Sequence, residues 1–403
     1  MSMLSFEQAL AQLLADARQV TGVDMLPTQA ACGRVLAADQ VSAIAVPPRD
    51  NSSMDGYALS CADVPVAGTR LAVAQRIPAG SVGHQLAAGT AARIFTGAPV
   101  PAGADAIVMQ ELTSREHDVV TINHLPAKGD WIRRAGEDIG RGDRILLAGT
   151  RLLPQHLGLA ASIGQAELPV FRRLKVALFS TGDELVMPGE IAPEQLPQGA
   201  IYNSNRYLLA GLLAQLGCEL GDLGIVPDSL AATREALRRA AQDHDLILTS
   251  GGVSVGEEDH VKAAVEAEGE LDLWKIAIKP GKPLAFGRVG NASFIGLPGN
   301  PVSSFVTFLM LVRPFILKCQ GVTNCQPRTV TLRADFDWGR PDPRREFLRA
   351  RRNDAGGLDL FANQSSGVLT SAAWADGLID NPPGAAIARG DPVCFLPFSE
   401  LLY

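Results

Sequence analysis

The chain has 403 residues, of which 47% are hydrophobic and 20% are charged, and its formal net charge is −7. A chain of this length exceeds one ordinary core and predicts roughly two to four domains. We expect no membrane span, because no apolar stretch reaches the roughly 18 residues that a span requires. The acidic balance argues against nucleic acid as the main partner, although a local basic pocket for an anion remains compatible with it.

The first predicted element is an amphipathic helix with a capping box formed by Ser5 and Gln8. No basic segment precedes its apolar residues, as one would in a secretion signal. The six cysteines follow no framework pattern in this long chain, which favours reduced thiols. Together these features predict a cytoplasmic protein.

Residues 44–139 form a predicted β-rich domain, because short strand-like segments alternate with Gly and Pro turns there. The flanking segments 1–43 and 140–174 have mixed helical and strand patterns. We therefore predict one discontinuous first domain into which the β-rich domain is inserted.

Residues 175–327 alternate short apolar runs with helical patterns, which is typical of βαβ units around a mainly parallel sheet. The predicted strands are 175–180, 221–226, 245–249, 273–278 and 293–297, and the predicted helices are 203–216, 229–242, 259–266 and 301–317. Strand-like segments return at 329–332, 347–350, 385–388 and 392–396, which predicts a C-terminal β-barrel in residues 328–403. The predicted fold class is thus α/β plus β and multidomain, with a central doubly wound α/β domain.

Three glycine-bearing loops follow strands of the predicted α/β sheet, at 180–184, 249–252 and 297–301. Because the carboxyl ends of parallel strands meet at one edge of a sheet, we expect these loops to converge there. Thr181, Asp183 and Glu184 could bind a divalent ion or orient water, although an N-cap by Thr181 or Asp183 is the alternative. Gly251 and Gly252 favour a nest of backbone N–H groups for phosphate.

Lys275 and Lys279 are four residues apart in the segment W-K-I-A-I-K-P-G-K-P (274–283). On one continuous strand they would share a face and form a cationic pocket for a tetrahedral oxyanion. Two solvated lysines on an edge strand are the equally weighted alternative. Neither G-x-G-x-x-G nor a P-loop is present, which argues against both of these nucleotide-binding classes.

The chain resembles molybdopterin molybdenumtransferases, the family that includes bacterial MoeA and the gephyrin E domain, over essentially its whole length. The resemblance rests on seven motifs in the family's order, which are M-D-G-Y-A (54–58), F-T-G-A-P-V-P-A-G-A-D (95–105), A-G-E-D-I (135–139), S-T-G-D-E-L (180–185), T-S-G-G-V-S-V-G (249–256), K-P-G-K-P (279–283) and L-P-G-N-P-V-S (297–303).

The resemblance implies an elongated homodimer of four-domain subunits, with each active cleft between the α/β domain of one subunit and the β-rich domain of the other. One subunit would supply the catalytic residues Asp55, Thr96 and Asp138, and the other would supply Glu184, Asp228 and Asp259. The implied reaction transfers molybdenum from molybdate to adenylylated molybdopterin and releases AMP.

Mg²⁺ is the implied cofactor, held by Glu184 and Asp259. The implied substrate-binding residues are Ser250, Gly251, Gly252, Ser254, Lys275, Lys279, Pro298, Ser303, Arg345 and Ser371, and molybdate would contact the two lysines, Ser303 and Arg345. Transient contacts with a molybdopterin adenylyltransferase and with apo-molybdoenzymes are also implied. No contact with nucleic acid or membrane is expected.

Two other functions remain open at this point. The α/β domain alone also suits a molybdopterin adenylyltransferase or a pyrophosphatase-like enzyme, whereas the gephyrin relative suggests a scaffold. Molybdate-dependent release of AMP would separate the proposed transferase from the other enzymes. The absence of a long disordered segment in this sequence argues against the scaffold.

Overall fold

The computed structural model of the chain describes residues 3–252 and 260–402. The first helix has the predicted capping box, since Ser5 N donates to Gln8 Oε1 at 2.9 Å and Gln8 N donates to Ser5 Oγ at 3.2 Å. The elements before the β-rich unit are α1 (Phe6–Asp16), β1 (Val23–Pro27) and β2 (Gln40–Val41). Those after it are β11 (Arg144–Leu146), α2 (Pro154–Ser162) and β12 (Glu167–Phe171), and β12 pairs with β1 while β11 pairs with β2.

The β-rich unit contains one mixed six-stranded sheet in the order β7-β4-β6-β5-β9-β8. Two apolar clusters are associated with this sheet, because its strands direct alternate side chains to opposite faces. Its strands, together with the short pair formed by the first and last, are β3 (Asn51–Ser52), β4 (Gly56–Leu59), β5 (Thr69–Ile77), β6 (Thr90–Ile94), β7 (Ala106–Met109), β8 (Thr113–Glu116), β9 (Val119–Ile122) and β10 (Ile132–Arg133).

The α/β unit is built on a six-stranded sheet in the order β16-β13-β17-β21-β20-β18. The first four of these strands are mutually parallel, and β20 runs antiparallel to β21. β18 is antiparallel to β20 and so runs in the same direction as the first four, which confirms the predicted mainly parallel sheet. The elements are β13 (Lys175–Thr181), β14 (Leu185–Val186), β15 (Ile201–Tyr202), α3 (Ser204–Gln215), β16 (Glu219–Val226), α4 (Leu230–Asp243), β17 (Leu246–Ser250), α5 (His260–Glu268), β18 (Gly269–Lys275), β19 (Ile278–Lys279), β20 (Pro283–Val289), β21 (Ala292–Leu297), α6 (Pro301–Thr307) and α7 (Arg313–Cys319).

Two hydrophobic clusters flank this sheet, as expected for parallel strands covered on both faces. One cluster joins Leu209 and Leu213 of α3 to the helices at 301–319, and the other joins Leu237 of α4 to Val261 of α5. The strand ends are consequently the accessible edge of this sheet, where a ligand can reach polar groups.

The C-terminal strands close into a five-stranded barrel, because β23 pairs with both β24 and β25 while β22 and β26 complete the ring. This confirms the predicted barrel. Its elements are β22 (Val330–Ala334), β23 (Arg345–Arg352), β24 (Gly357–Leu360), α8 (Leu369–Trp374), β25 (Gly377–Asn381), β26 (Pro392–Pro397) and α9 (Phe398–Leu401). The predicted strand at 385–388 is wrong, since Ile387 forms only an isolated bridge to Trp338.

The predicted strand at 273–278 is also wrong in its bounds. β18 ends at Lys275, and the chain then crosses to β19, which pairs with β23 of the barrel. Leu4 lies at this break, where Leu4 N donates to Lys275 O and Ala277 N donates to Leu4 O. The N-terminal segment thereby occupies the hydrogen-bonding positions between the two strands.

The helical segment Pro301–Cys319 spans 19 residues with a mean hydropathy of 1.6, so the expectation that no apolar stretch reaches span length is wrong. A π-helical turn at Phe308–Val312 joins α6 to α7 within it. The segment is 94% buried inside the protein. Its apolar surface therefore packs against the α/β core, which is typical of the central helix of a soluble domain.

Candidate active site

A cavity of about 810 Å³ lies where β13, β17 and β21 end. The loops at 181–184, 250–252 and 298–301 all line it, so the predicted convergence of the three loops is confirmed. The three loops lie together because the last residues of the three parallel strands are register partners: Ser180 pairs with Ser250, and Ser250 pairs with Leu297. Among the described residues, the lining includes Asn203, Ser204, Asn205, Asp228 and Ser303 as well as the loops.

The loop after β13 directs Glu184 to the cavity. Gly182 has φ +141°, and a Cβ atom there would lie 2.6 Å from Glu184 Oε2, so the glycine makes room for this carboxylate. The alternative of an N-cap by Thr181 or Asp183 is wrong, because the chain continues into β14 rather than into a helix. Among the described residues, no Lys or Arg nitrogen lies within 4.0 Å of Glu184 or Asp228.

The loop after β17 contains the two glycines predicted to bind phosphate. Both have positive φ, and a Cβ atom on Gly252 would lie 2.3 Å from Val261 Cγ2. Gly251 N donates to Leu297 O at 3.1 Å, so this N–H group is already occupied. The two glycines thus adopt a conformation that other residues rarely do, but the N–H of Gly251 is not available to a ligand, and the phosphate nest stays a prediction. Ser254 and Asp259 lie outside the described residues.

The loop after β21 ends at α6, with Pro301 in its first turn and Asn300 at the N-cap position. Ser304 Oγ donates to Pro298 O and fixes the loop against the helix. Ser303 is 5% exposed and lines the cavity, as do Pro298 and Pro301. A hydroxyl group at this helix start is suited to bind an anion.

Asn205 is a cavity residue that the sequence analysis missed. Its Nδ2 donates to Ser250 Oγ at 2.8 Å and to Gly299 O at 2.7 Å. It lies in the first turn of α3, next to Asn203, whose side chain accepts from Arg206 N as the N-cap. The only local signal was an N-cap pattern in Asn203-Ser-Asn205, which says nothing about contacts with residues 45 and 94 positions away.

The acids of the cavity suit a hard divalent cation. Glu184 and Asp228 both line it, and carboxylate oxygens are the ligands that Mg²⁺ prefers. The described residues contain no group of three or more His, Cys, Asp or Glu side chains that could hold a metal without further ligands. Two carboxylates together with substrate phosphate oxygens and water are a common Mg²⁺ environment, so the residues present fit this ion.

The structure does not bring the predicted cations into this cavity. Lys275 is exposed at the end of β18, and Lys279 lies on β19, so the prediction that they share one strand face is wrong. Lys279 Nζ lies 3.1 Å from Glu346 Oε1 and 3.3 Å from Asp342 Oδ2. Lys279 therefore forms ion pairs that join the α/β unit to the barrel.

Arg345 and Ser371 are also outside the cavity lining. The Arg345 guanidinium forms a bidentate pair with Asp380 at 2.5 Å and contacts Glu7, and this pairing raises the pKa of Arg345. Ser371 is fully buried, and its Oγ accepts from Arg349 Nε at 3.1 Å and donates to Val368 O at 2.7 Å. Both side chains have their polar groups engaged within the protein.

The remaining predicted residues lie on the β-rich unit. Thr96 donates to Asp55 Oδ1 through both its backbone N and its Oγ1, each at 2.8 Å. The backbone bond from Thr96 is the main cause that holds the pKa of Asp55 below its usual 3.8, with smaller contributions from the hydroxyl and from the Arg93 charge. Asp138 is exposed and is positioned by a bond from its backbone N to Val46 O. These three residues are absent from the lining of the described cavity.

Three family models match consecutive parts of the chain. They are described as the MoeA N-terminal region (domain I and II) at residues 4–164, a probable molybdopterin binding domain at 177–318 and the MoeA C-terminal region (domain IV) at 331–398.

Relatives match over nearly the full length. A molybdopterin molybdenumtransferase of Haemophilus influenzae is 46% identical, covering 99% of this chain and all of the relative. Molybdopterin molybdenumtransferase 2 of Mycobacterium tuberculosis is 38% identical over 94% of this chain and 95% of its own. A crystal structure of the molybdopterin biosynthesis moeA protein from Pyrococcus horikoshii OT3 superposes with a TM-score of 0.86 at 28% identity, covering 98% and 100% of the two chains. This chain therefore belongs to the MoeA family of molybdopterin molybdenumtransferases.

Proposed function

We propose that this protein transfers molybdenum from molybdate to adenylylated molybdopterin, with release of AMP and formation of molybdenum cofactor. Family membership over the whole chain makes it a transferase that inserts molybdenum into molybdopterin. The adenylylated form of the substrate and the release of AMP are our own proposal. The observation that carries it is the cavity at the ends of β13, β17 and β21, which is lined by hydroxyl groups and by two carboxylates that have no Lys or Arg partner among the described residues.

The charge of the cavity supports a metal-bound phosphate ester as ligand. Its described lining contains Glu184 and Asp228 but no Lys or Arg, so a polyanion alone would meet repulsion. A divalent cation between the carboxylates and the phosphates would remove this repulsion. Mg²⁺, held by Glu184 with Asp228 or with Asp259, would supply electrostatic stabilisation of charge that develops on phosphorus.

The residues of the chain itself bind and orient the substrate. The hydroxyl groups of Ser250 and Ser303, two buried residues that line the cavity, would donate to phosphate or molybdate oxygens, as would the backbone N–H of Gly252. Glu184 lies at the end of β13 beside this space and can orient a water molecule toward phosphorus. Lys279, Arg345 and Ser371 stay candidates for substrate binding only if substrate releases them from the contacts described above, whereas Lys275 is exposed but does not line the described cavity.

We further propose a homodimer whose cleft is completed by the partner's β-rich unit. Asp55 and Thr96 come from two loops and form one hydrogen-bonded pair of an acid and a hydroxyl group, and Thr96 and Asp138 are exposed. A second copy could place these groups opposite Glu184. The same proposal includes a cytoplasmic location and transient contacts with a molybdopterin adenylyltransferase and apo-molybdoenzymes.

One experiment tests the reaction. The purified protein is incubated with adenylylated molybdopterin and Mg²⁺, with and without molybdate, and both AMP and the reconstitution of an apo-molybdoenzyme are measured. We expect AMP release that depends on molybdate, together with reconstitution. Release of AMP without molybdate would indicate a pyrophosphatase-like enzyme, whereas consumption of ATP with molybdopterin would indicate an adenylyltransferase.

A further inference from the structure

Asn205 connects two of the three loops that form the cavity. Its Nδ2 lies 2.8 Å from Ser250 Oγ at the end of β17 and 2.7 Å from Gly299 O in the loop after β21. The side chain is 8% exposed, and the residue lines the cavity. One amide group thus bridges two strand ends from the first turn of α3.

The bond to Gly299 determines the orientation of this amide. A backbone carbonyl can only accept, so the Asn205 atom that contacts it must be the NH₂ group. The same nitrogen contacts Ser250 Oγ, which must then accept as well. Ser250 is 3% exposed and lines the cavity, and its hydroxyl has no acceptor among the described residues. Its hydrogen is consequently available to a ligand in the cavity.

The other end of the amide argues against a role in packing alone. Asn205 Oδ1 is buried and has no hydrogen-bond partner within the described chain. A buried acceptor without a partner destabilises the folded state, so an apolar residue of similar size would serve packing better. What an apolar residue could not supply is the pair of bonds to Ser250 and Gly299.

We propose that Asn205 is a positioning residue that fixes the Ser250 hydroxyl as a hydrogen-bond donor to a phosphate oxygen of the substrate. It acts through Ser250 and, by its second bond, holds the loop at Gly299 at a constant distance from that hydroxyl. The inference rests on the proposed function, because it takes the phosphate of adenylylated molybdopterin as the acceptor. A donor whose direction is fixed in advance binds an anion without the loss of rotational freedom that a free hydroxyl would suffer.

A double-mutant cycle on the full chain tests this role. Binding of adenylylated molybdopterin, in the absence of molybdate, is measured by calorimetry for the wild type, Asn205→Ala, Ser250→Ala and the double variant. A hydrogen bond to a charged acceptor predicts that Ser250→Ala weakens binding about tenfold or more. We expect Asn205→Ala to weaken it by three- to tenfold, and the double variant to lie within about threefold of Ser250→Ala, because the two act through one bond.

Multiplicative losses in the double variant would overturn the inference, since two independent residues show no coupling. Asn205→Asp is a second variant, which keeps the size of the side chain but replaces its two donated bonds by acceptor oxygens, and its fold is checked by circular dichroism before binding is measured. This nearly isosteric carboxylate would accept the Ser250 hydrogen and turn it away from the cavity, so we expect a loss of at least about tenfold. Asn203→Asp places the same charge at the same helix end while keeping the N-cap, and an equal loss there would show that repulsion alone is responsible.

The outcome also separates the two proposals. If the wild type binds no adenylylated molybdopterin, both the proposed function and the role of Asn205 fail. If the wild type binds the substrate and releases AMP with molybdate while the cycle shows no coupling, only the role of Asn205 fails.

Discussion

Replacing Lys279 by Ala should destabilise the protein through Glu346. The Glu346 carboxylate is fully buried and accepts from Lys279 Nζ at 3.1 Å, from Trp338 Nε1 at 2.9 Å and from Asn381 Nδ2 at 3.3 Å. Breaking a buried ion pair on one side costs about 3–5 kcal/mol. Because Trp338 and Asn381 would continue to donate and Lys279 is partly exposed, we expect a loss near the lower end, about 3 kcal/mol in the free energy of unfolding.

Urea unfolding followed by far-UV circular dichroism measures this loss. The free energies of unfolding of wild type and variant are compared on the condition that both have the same m-value, the slope of this free energy against urea concentration. The matched control is the double variant Lys279→Met with Glu346→Gln, which removes both charges and keeps the donors of Trp338 and Asn381 satisfied. It should recover stability to within about 1 kcal/mol of the wild type. A single variant that stays within about 1 kcal/mol of the wild type would refute the reasoning, because the carboxylate would then not depend on Lys279.

The double variant also separates this structural role from a contact with molybdate. If Lys279 binds molybdate during the reaction, a fully folded double variant should still need tenfold or more molybdate for half-maximal insertion. If the concentration is unchanged, the lysine serves only to join β19 to the barrel.

Three further predictions follow from the site and from the link between the units. Glu184→Gln should lower molybdate-dependent AMP release by about 10²-fold while the oligomeric state is unchanged, and activity within about threefold of wild type would exclude its role. Mixtures of inactive Asp55→Ala and Glu184→Ala subunits should regain activity after subunit exchange, because each heterodimer would contain one cleft without either substitution. If no activity returns although exchange is demonstrated, both acids belong to the cleft of a single chain. Burial raises the pKa of Asp245, but the bidentate Arg172 and the backbone N–H of Lys175 outweigh it and hold this pKa below 3.8. The ionised form therefore adds stability above pH 3.8 that is lost as the pH falls through the lowered pKa, so Asp245→Asn should cost about 1.5–3 kcal/mol at pH 7 and progressively less below pH 3.8. A deficit that is constant down to pH 2 would contradict this assignment.

The convergence of the three loops could be predicted because it depends only on strand polarity. Each apolar run that ends in a polar glycine loop, such as the run before Ser180 and the one before Ser250, must place that loop at the carboxyl edge if the strands are parallel. The alternation of strands and helices fixes that polarity before any contact is known. Local patterns were therefore sufficient for the position of the cavity and for Glu184 within it.

The pairing of Lys275 with Lys279 could not be predicted in the same way. Their even spacing is compatible with one strand, but the backbone groups between them are hydrogen-bonded to Leu4, more than 270 positions earlier in the chain. The partner of Lys279 is likewise distant, since Glu346 is 67 residues away. A lysine with no acidic residue near it in sequence can thus form an ion pair with a carboxylate from another unit of the protein.

The same long-range pairing explains why the charge of the cavity differs from the expected one. Lys279 and Arg345 are held by carboxylates at the junction with the barrel, while Glu184 and Asp228 stay without a cation among the described residues. Each buried acid at that junction would be costly without its cation, so releasing the cations toward substrate would destabilise the protein. An anionic substrate in this cavity must therefore be neutralised by a bound divalent ion or by groups from a second copy. The first source predicts that substrate binding weakens when Mg²⁺ is removed, and the second predicts that it weakens when the proposed dimer is dissociated, whereas an intrinsic lysine pocket predicts neither.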